Sequence, residues 1–219
     1  MYVASTGALL EYDGVTWRRI LTPARATVRS LDQDAGGRIY VGAIGDLGYI
    51  EADAKGQTQF VSLLDKIPSD SRIFEDVWRT FVTPEGVYFQ TQFALFRWAN
   101  GQMRVWKPTG RVFNRAQYVN GTLYLSQPGT GGLFAFKNDQ FVLLPGTSRL
   151  ADEAYPIILP FDDKHLLIGT RVDGLFLYDG ATLTPFATEA DSFFKSKNLY
   201  RGFILPNGSI ALRRRRVGS

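Results

Sequence analysis

The sequence predicts an all-β fold, a β-propeller built from four-stranded antiparallel blades. The first observation is a repeat, in which a small residue precedes a hydrophobic, aromatic-rich strand at Ala8, Gly48, Ala94, Gly132 and Gly174. These positions are 40, 46, 38 and 42 residues apart. The second observation is that Gly, Asp and Asn turns separate short apolar runs throughout the chain. A strand repeat of about 40 residues is typical of propellers, whose blades bury their faces against one another.

The length and the apolar content predict one folded domain. The chain has 219 residues, of which 45% are hydrophobic and 14% aromatic, enough for a packed core. Because the repeat runs nearly from end to end, residues 1–219 are predicted to form a single propeller domain. No run of 18 apolar residues occurs, so no membrane insertion by this segment is expected.

The net charge of +4 comes from one place in the sequence. Four consecutive arginines, residues 213–216, lie near the C-terminus, and without them 21 basic residues balance 21 acidic ones. Residues 213–219 are therefore predicted to be a basic, frayed tail on a neutral domain. A neutral domain does not favour a nucleic-acid partner, and none is predicted.

The strands of each blade, called a to d from the propeller axis outward, follow in order along the chain. The first complete blade is predicted at Thr27–Asp34, Arg38–Gly42, Gly48–Ala52 and Thr58–Leu63. The second is predicted at Val77–Val82, Val87–Thr91, Leu95–Trp98 and Met103–Trp106. The third is predicted at Phe113–Val119, Thr122–Ser126, Leu133–Phe136 and Phe141–Leu144, with a hairpin turn at Asn120 and Gly121. The fourth is predicted at Tyr155–Pro160, His165–Gly169, Leu175–Tyr178 and Leu183–Phe186. Single helical turns are predicted at Ser62–Lys66 and Asp191–Lys195.

The two ends of the chain do not follow this pattern. The N-terminal sheet lacks a strand a, whereas Leu199–Leu205 resembles a strand a and is followed by a b-like stretch, Ser209–Leu212. Because open sheet edges are unfavourable, we expect Leu199–Leu205 to join the N-terminal strands and complete five blades. The alternative is a fragment of a larger propeller, with unclosed ends or with a homodimeric partner that exchanges strands.

The sequence motifs of the repeats resemble those of a known family. Residues 28–31 read VRSL and lead to GRIYVG at residues 37–42, while GALLEYDGVTWR at residues 7–18 and DGLFLYDG at residues 173–180 share a second motif. These motifs resemble the two-component regulator propeller repeats of bacterial sensor proteins, over about 200 residues.

The resemblance implies a periplasmic, ligand-sensing module of a signalling protein. In such proteins the propeller precedes a membrane span and an output domain, neither of which these 219 residues contain. The implied partners are an extracellular small molecule or glycan and downstream output domains. The family has no universal catalytic motif, so the resemblance assigns no site and no cofactor.

One column of the aligned repeats suggests a binding site. An arginine falls early in the predicted strand a of several blades, at Arg29, Arg79, Arg115 and Arg201, and Tyr155 or Pro156 takes the equivalent place in another. With Trp78 beside them, these residues are predicted to bind an acidic sugar or carboxylate at a channel mouth, because guanidinium groups bind such anions bidentately. The alternative is structural, with each arginine paired to an acid such as Asp76.

Catalysis is not expected from the motifs. Cysteine is absent and His165 is the only histidine, so no metal site is predicted and His165 is interpreted as a turn or surface residue. No nucleophile elbow or phosphate-binding loop occurs, and the inner strands offer only Asp32, Glu75 and Asp76 as acids. The chain is therefore predicted not to be an enzyme. The alternatives are a glycan-degrading propeller, which needs two convergent carboxylates, and a protein-interaction scaffold.

Overall fold

The structure of the chain, a computed structural model, describes residues 1–153, 156–197 and 199–214. It divides into two compact units, Met1–Pro108 and Thr109–Ser219, each with its own sheets. The prediction of one domain over the whole chain stays a prediction.

The first unit contains three antiparallel sheets. A three-stranded sheet is formed by β1 (Tyr2–Ser5), β2 (Ala8–Tyr12) and β3 (Trp17–Leu21). A four-stranded sheet follows, with β4 (Val28–Gln33), β5 (Ile39–Ala43), β6 (Leu47–Ala52) and β7 (Thr58–Ser62). A second four-stranded sheet has β8 (Arg79–Thr83), β9 (Gly86–Gln90), β10 (Leu95–Ala99) and β11 (Gln102–Trp106). Short 3₁₀ helices lie at Pro23–Arg25, Leu64–Lys66 and Ser69–Ser71.

The second unit repeats the same arrangement. Its first sheet has β12 (Gln117–Val119), β13 (Thr122–Ser126), β14 (Leu133–Lys137) and β15 (Gln140–Leu143). Its second has β16 (Ile157–Pro160), β17 (Leu166–Gly169), β18 (Leu175–Tyr178) and β19 (Leu183–Pro185). A two-stranded sheet of β20 (Leu199–Ile204) and β21 (Ile210–Arg214) follows the helix α1 (Asp191–Lys197), and a 3₁₀ helix lies at Ser148–Leu150.

The predicted fold class is confirmed. Each four-stranded sheet pairs its strands in sequence order, as propeller blades do, and the sheets together amount to about five blades. The predicted turn at Asn120 and Gly121 is present, with φ of 48° and 74°, the left-handed conformation that a tight hairpin requires.

The ends of the chain depart from expectation. Leu199–Leu205 was predicted to pair with the N-terminal strands, but β20 (Leu199–Ile204) pairs with Ile210–Arg214 of the same unit. Arg213 and Arg214, predicted to begin a frayed tail, close β21, and residues 215–219 lie outside the described part of the chain.

The core strands are buried on both faces, and successive residues of a strand enter the clusters on alternate faces of its sheet. In the first unit, Ile39 and Val41 of β5 pack into a cluster with Leu9 of β2, while Tyr40 faces the opposite cluster with Phe89 of β9. In the second unit, adjacent residues of β17 and β18 likewise enter two clusters. One contains Ile168 and Phe176, and the other contains Leu167 and Leu175. Since both faces of these sheets are apolar, each sheet needs a neighbour on either side.

The buried carboxylate of Asp46, in the turn between β5 and β6, predicts a specific pH dependence of stability. Burial raises the pKa of Asp46, although hydrogen bonds from Ser62 Oγ and the Leu47 N–H, each 2.7 Å long, act in the opposite direction. The folded chain therefore binds this proton more tightly than the unfolded chain. The stability from this group is present below the unfolded pKa and is lost as pH rises through the raised, folded pKa.

Asp46→Asn is expected to remove this loss of stability at higher pH, because the amide oxygen can still accept both hydrogen bonds and carries no charge. Urea unfolding of the wild type and the variant from about pH 4 to pH 7 measures it. The variant should gain stability relative to the wild type as the pH rises. A difference that is constant with pH would contradict the prediction.

Within the described residues, no helix is long and apolar enough to cross a membrane.

Candidate functional site

In the first unit, the predicted site residues lie where β4 and β8 begin. Arg29 is the second residue of β4, and Trp78 directly precedes Arg79, the first residue of β8. The Arg29 guanidinium forms an ion pair with Asp76 and lies 5.6 Å from the centre of the Trp78 ring. The structural alternative, an arginine paired with a neighbouring acid, therefore describes Arg29.

Side-chain hydrogen bonds from β4 hold β8 and the residues just before it. Ser30 Oγ donates 2.8 Å to the Val77 carbonyl, and Asp32 Oδ2 accepts a 2.7 Å bond from the Val82 N–H. Asp32 and Asp76, two of the three acids that the sequence offers as catalytic candidates, thus have structural partners. This contact zone fixes the backbone of β8 against β4.

In the second unit, two of the predicted arginines converge on one aromatic ring. The guanidinium carbons of Arg115 and Arg201 lie 5.6 and 5.7 Å from the centre of the Tyr200 ring. Arg115 Nη1 also donates a 3.4 Å hydrogen bond to the Tyr200 hydroxyl. We call these three residues the arginine–tyrosine cluster. Tyr155, also predicted for this site, lies outside the described residues.

An irregularity of β20 brings Tyr200 to this position. The pairing of β20 with β21 shifts register between Leu199 and Arg201: Leu199 lies opposite Arg214 and Arg201 lies opposite Arg213, so Tyr200 lies at a bulge. Such bulges change the direction in which a side chain points and recur next to binding sites. Tyr200 was not among the predicted site residues, since a bulge has no sequence signature here.

One arginine of the cluster, Arg201, has a second cation as its neighbour across the β ladder. Arg201 lies directly opposite Arg213 in the β20–β21 ladder, and like charges in such a pair are unfavourable. Arg201 Nε is buried and has no hydrogen-bond partner among the described residues. A buried donor without an acceptor costs free energy, so an anion that reaches Arg201 would be stabilised.

The second unit also contains an open cavity that the sequence did not predict. It lies where β12, β16 and β20 end, whereas the predicted arginines lie near the starts of such strands. Three hairpin turns meet there: β12 to β13, β16 to β17, and β20 to β21. We call it the turn cavity. Its volume is about 580 Å³, and its lining comprises Asn120, residues 160–163, Ile204, Gly208 and Ile210.

One carboxylate of the turn cavity is fixed by its own hairpin. Asp162 Oδ1 accepts hydrogen bonds from the N–H groups of Lys164 and His165, at 2.8 and 2.7 Å, and from His165 Nδ1 at 2.8 Å. These bonds, that of the Lys164 N–H above all, lower the pKa of Asp162. The contact with Asp162 places His165 in a turn, as the sequence predicted.

No family model matches the chain, and no curated protein matches it by sequence. Among solved structures, a catalytically inactive variant of virginiamycin B lyase from Staphylococcus aureus, with quinupristin, has a TM-score of 0.62 and 11% identity. That match covers 95% of this chain and 78% of that chain.

Two further structures cover a similar share of this chain. A candidate gluconolactonase has a TM-score of 0.55 at 11% identity, covering 95% of this chain and 78% of that chain. The extracellular domain of a candidate one-component system from B. thetaiotaomicron has a TM-score of 0.42 at 12% identity, covering 98% of this chain and 38% of that chain. Similarity at these identities establishes the propeller fold, and the last score is too low to support an argument.

The comparisons correct one prediction. The chain was predicted not to be an enzyme because the expected catalytic motifs are absent from the sequence. Solved propellers with TM-scores of 0.55 and 0.62 to this chain include a candidate gluconolactonase and a lyase, so the fold hosts catalysis. Motif absence therefore does not exclude an enzymatic role, and the prediction is withdrawn.

Proposed function

We propose that the chain is a ligand-binding propeller whose arginine–tyrosine cluster binds the carboxylate of an extracellular small molecule, such as an acidic sugar. In this proposal the propeller is the periplasmic sensing part of a bacterial signalling protein, and output domains receive its change of state. The resemblance of the VRSL and GRIYVG motifs to sensor propeller repeats supports the signalling context.

The observation that carries the proposal is the environment of Arg201. Its Nε is buried without an acceptor among the described residues, and Arg213 lies opposite it on β21. A carboxylate would satisfy the donor and offset the repulsion between the two cations. Charge-assisted bonds of this kind are stronger than neutral hydrogen bonds and favour a planar anion.

Tyr200 would add a second form of recognition. The guanidinium groups of Arg115 and Arg201 both lie within cation–π distance of its ring. An arginine held in this way loses less side-chain entropy when a ligand binds. The sugar ring of an acidic sugar would also find an aromatic surface next to the charged groups.

Calorimetric titration of the full chain with glucuronate, and separately with glucose, tests the proposal. Glucuronate should bind more tightly than glucose, and Arg201→Gln should weaken glucuronate binding about tenfold, as expected for one charge-assisted bond. Lys137→Gln, which removes an exposed cation at the end of β14, is the matched control and should bind like the wild type.

Two results would contradict the proposal. The first is equal affinity for glucuronate and glucose, and the second is an Arg201→Gln variant that keeps wild-type affinity. Chromatography of the ligand recovered after titration shows separately whether the chain has converted it.

A further inference from the structure

The turn cavity is large enough for a small molecule. Its volume of about 580 Å³ falls within the usual range of ligand sites. The three turns that form it are far apart in the sequence but belong to successive sheets of one unit. Its walls are therefore positioned by hairpins whose strands are hydrogen-bonded in ladders.

The polar side chains of the turn cavity are mainly acceptors. An ionised carboxylate accepts hydrogen bonds and donates none, and both Asp162 and Asp163 line the cavity. Asn120 contributes the remaining side-chain amide. A ligand that fits this lining must bring donors, and a positive charge on those donors would add attraction.

The two carboxylates have different roles. Asp162 already accepts three hydrogen bonds from its own turn, which lower its pKa and keep its negative charge in a fixed place. Asp163, the next residue, is exposed to solvent at the cavity and is the carboxylate that a ligand can contact most directly.

The rest of the lining is mostly apolar, and we call it the apolar wall. Phe161 and Ile204 are 40% and 43% exposed, and Pro160 and Ile210 complete this wall. A hydrocarbon surface placed against them would be removed from water together with them, which is favourable. A polyol would leave this wall uncovered and would meet few donors for its own hydroxyl oxygens.

Two consecutive carboxylates and an apolar wall line the same cavity. From this combination we infer that the turn cavity binds an organic ammonium ion, a protonated amine attached to an apolar body. The ammonium group lies against Asp163, within the field of Asp162, and the apolar body covers Phe161 and Ile204. This site is separate from the arginine–tyrosine cluster and takes a ligand of opposite charge.

Benzylammonium is the probe, and benzyl alcohol is its neutral counterpart of nearly equal size. Binding is measured by calorimetry on the full chain at neutral pH, where an alkylammonium is charged. Benzylammonium should bind about fivefold more tightly than benzyl alcohol, the effect of a solvent-exposed charge pair. Added salt should reduce this difference.

Asp163→Asn should remove most of the preference for benzylammonium. Among the described residues, the Asp163 carboxylate makes no hydrogen bond that this substitution would remove. Asp152→Asn, which changes another exposed acid of the same unit, is the matched control. Equal binding of the two probes by the wild type, or an Asp163→Asn variant that keeps the preference, would overturn the inference. Failure of benzylammonium to bind at all would overturn it too. Glucuronate titrations of the same samples report separately on the arginine–tyrosine cluster.

Discussion

Phe176→Ala is expected to lower the free energy of unfolding of the second unit by about 3–5 kcal/mol. Phe176 is 2% exposed, and its cluster includes Leu150, Ile158 and Ile168. The guanidinium carbon of Arg149 lies 5.0 Å from its ring centre. Removal of the ring leaves a cavity between packed sheets, and the ladders on both sides of β18 prevent the backbone from closing it.

Urea unfolding followed by far-ultraviolet circular dichroism measures this loss. Phe203→Ala is the control, because Phe203 is an aromatic of the same unit with 49% of its surface exposed. The control should change stability by less than about 1 kcal/mol. If the two variants were equally destabilised, the packing described for Phe176 would be incorrect.

Gly48→Ala is expected to destabilise the first unit by about 3 kcal/mol, although it adds a single methyl group. A Cβ at Gly48 would lie 2.1 Å from the Val61 carbonyl oxygen and 2.9 Å from the Phe60 ring. The carbonyl belongs to β7, which is paired with β6 along its length. Relief of the overlap would therefore require separation of two hydrogen-bonded strands.

Gly36→Ala is the matched control for Gly48→Ala. A Cβ at Gly36 would meet only the Asp34 carboxylate, at 3.3 Å, and a flexible side chain can move away. This variant should lie within about 0.5 kcal/mol of the wild type. Differential scanning calorimetry of both variants checks the prediction, and a Gly48→Ala protein with the wild-type melting temperature would refute it.

The repeat predicted the fold because its physical causes are local. At two of the repeat positions, Gly48 and Gly132, a Cβ would lie 2.1 and 2.9 Å from a neighbouring backbone carbonyl oxygen, and the turn at Asn120 needs left-handed φ values. Apolar alternation places strands on both sides of such turns. Leu175–Tyr178, for example, has the predicted bounds.

The starts of the inner strands were predicted less well. Phe113–Val119 was expected as one strand, but only Gln117–Val119 is in the ladder. The Asn114 N–H donates to the Ser126 carbonyl, and its side-chain amide donates to Ser126 Oγ. The chain before β12 is thus attached to β13 by hydrogen bonds of a single residue, Asn114, rather than by a continuous ladder. Apolar periodicity does not reveal such an attachment.

The candidate sites depended on geometry that is absent from the sequence pattern. The arginine column identified Arg115 and Arg201, but their common partner Tyr200 is positioned by a bulge. The turn cavity requires three turns, separated by about 40 residues each, to meet. No short sequence motif predicts that these three turns lie next to one another.

The division into two units has an optical consequence. All four tryptophans, Trp17, Trp78, Trp98 and Trp106, belong to Met1–Pro108, and the second unit has none. Selectively excited tryptophan emission is thus an intrinsic label of the first unit, whereas peptide absorption reports on both. Without any added dye, the two signals compared during denaturation would show whether the halves of the chain lose structure together or in sequence.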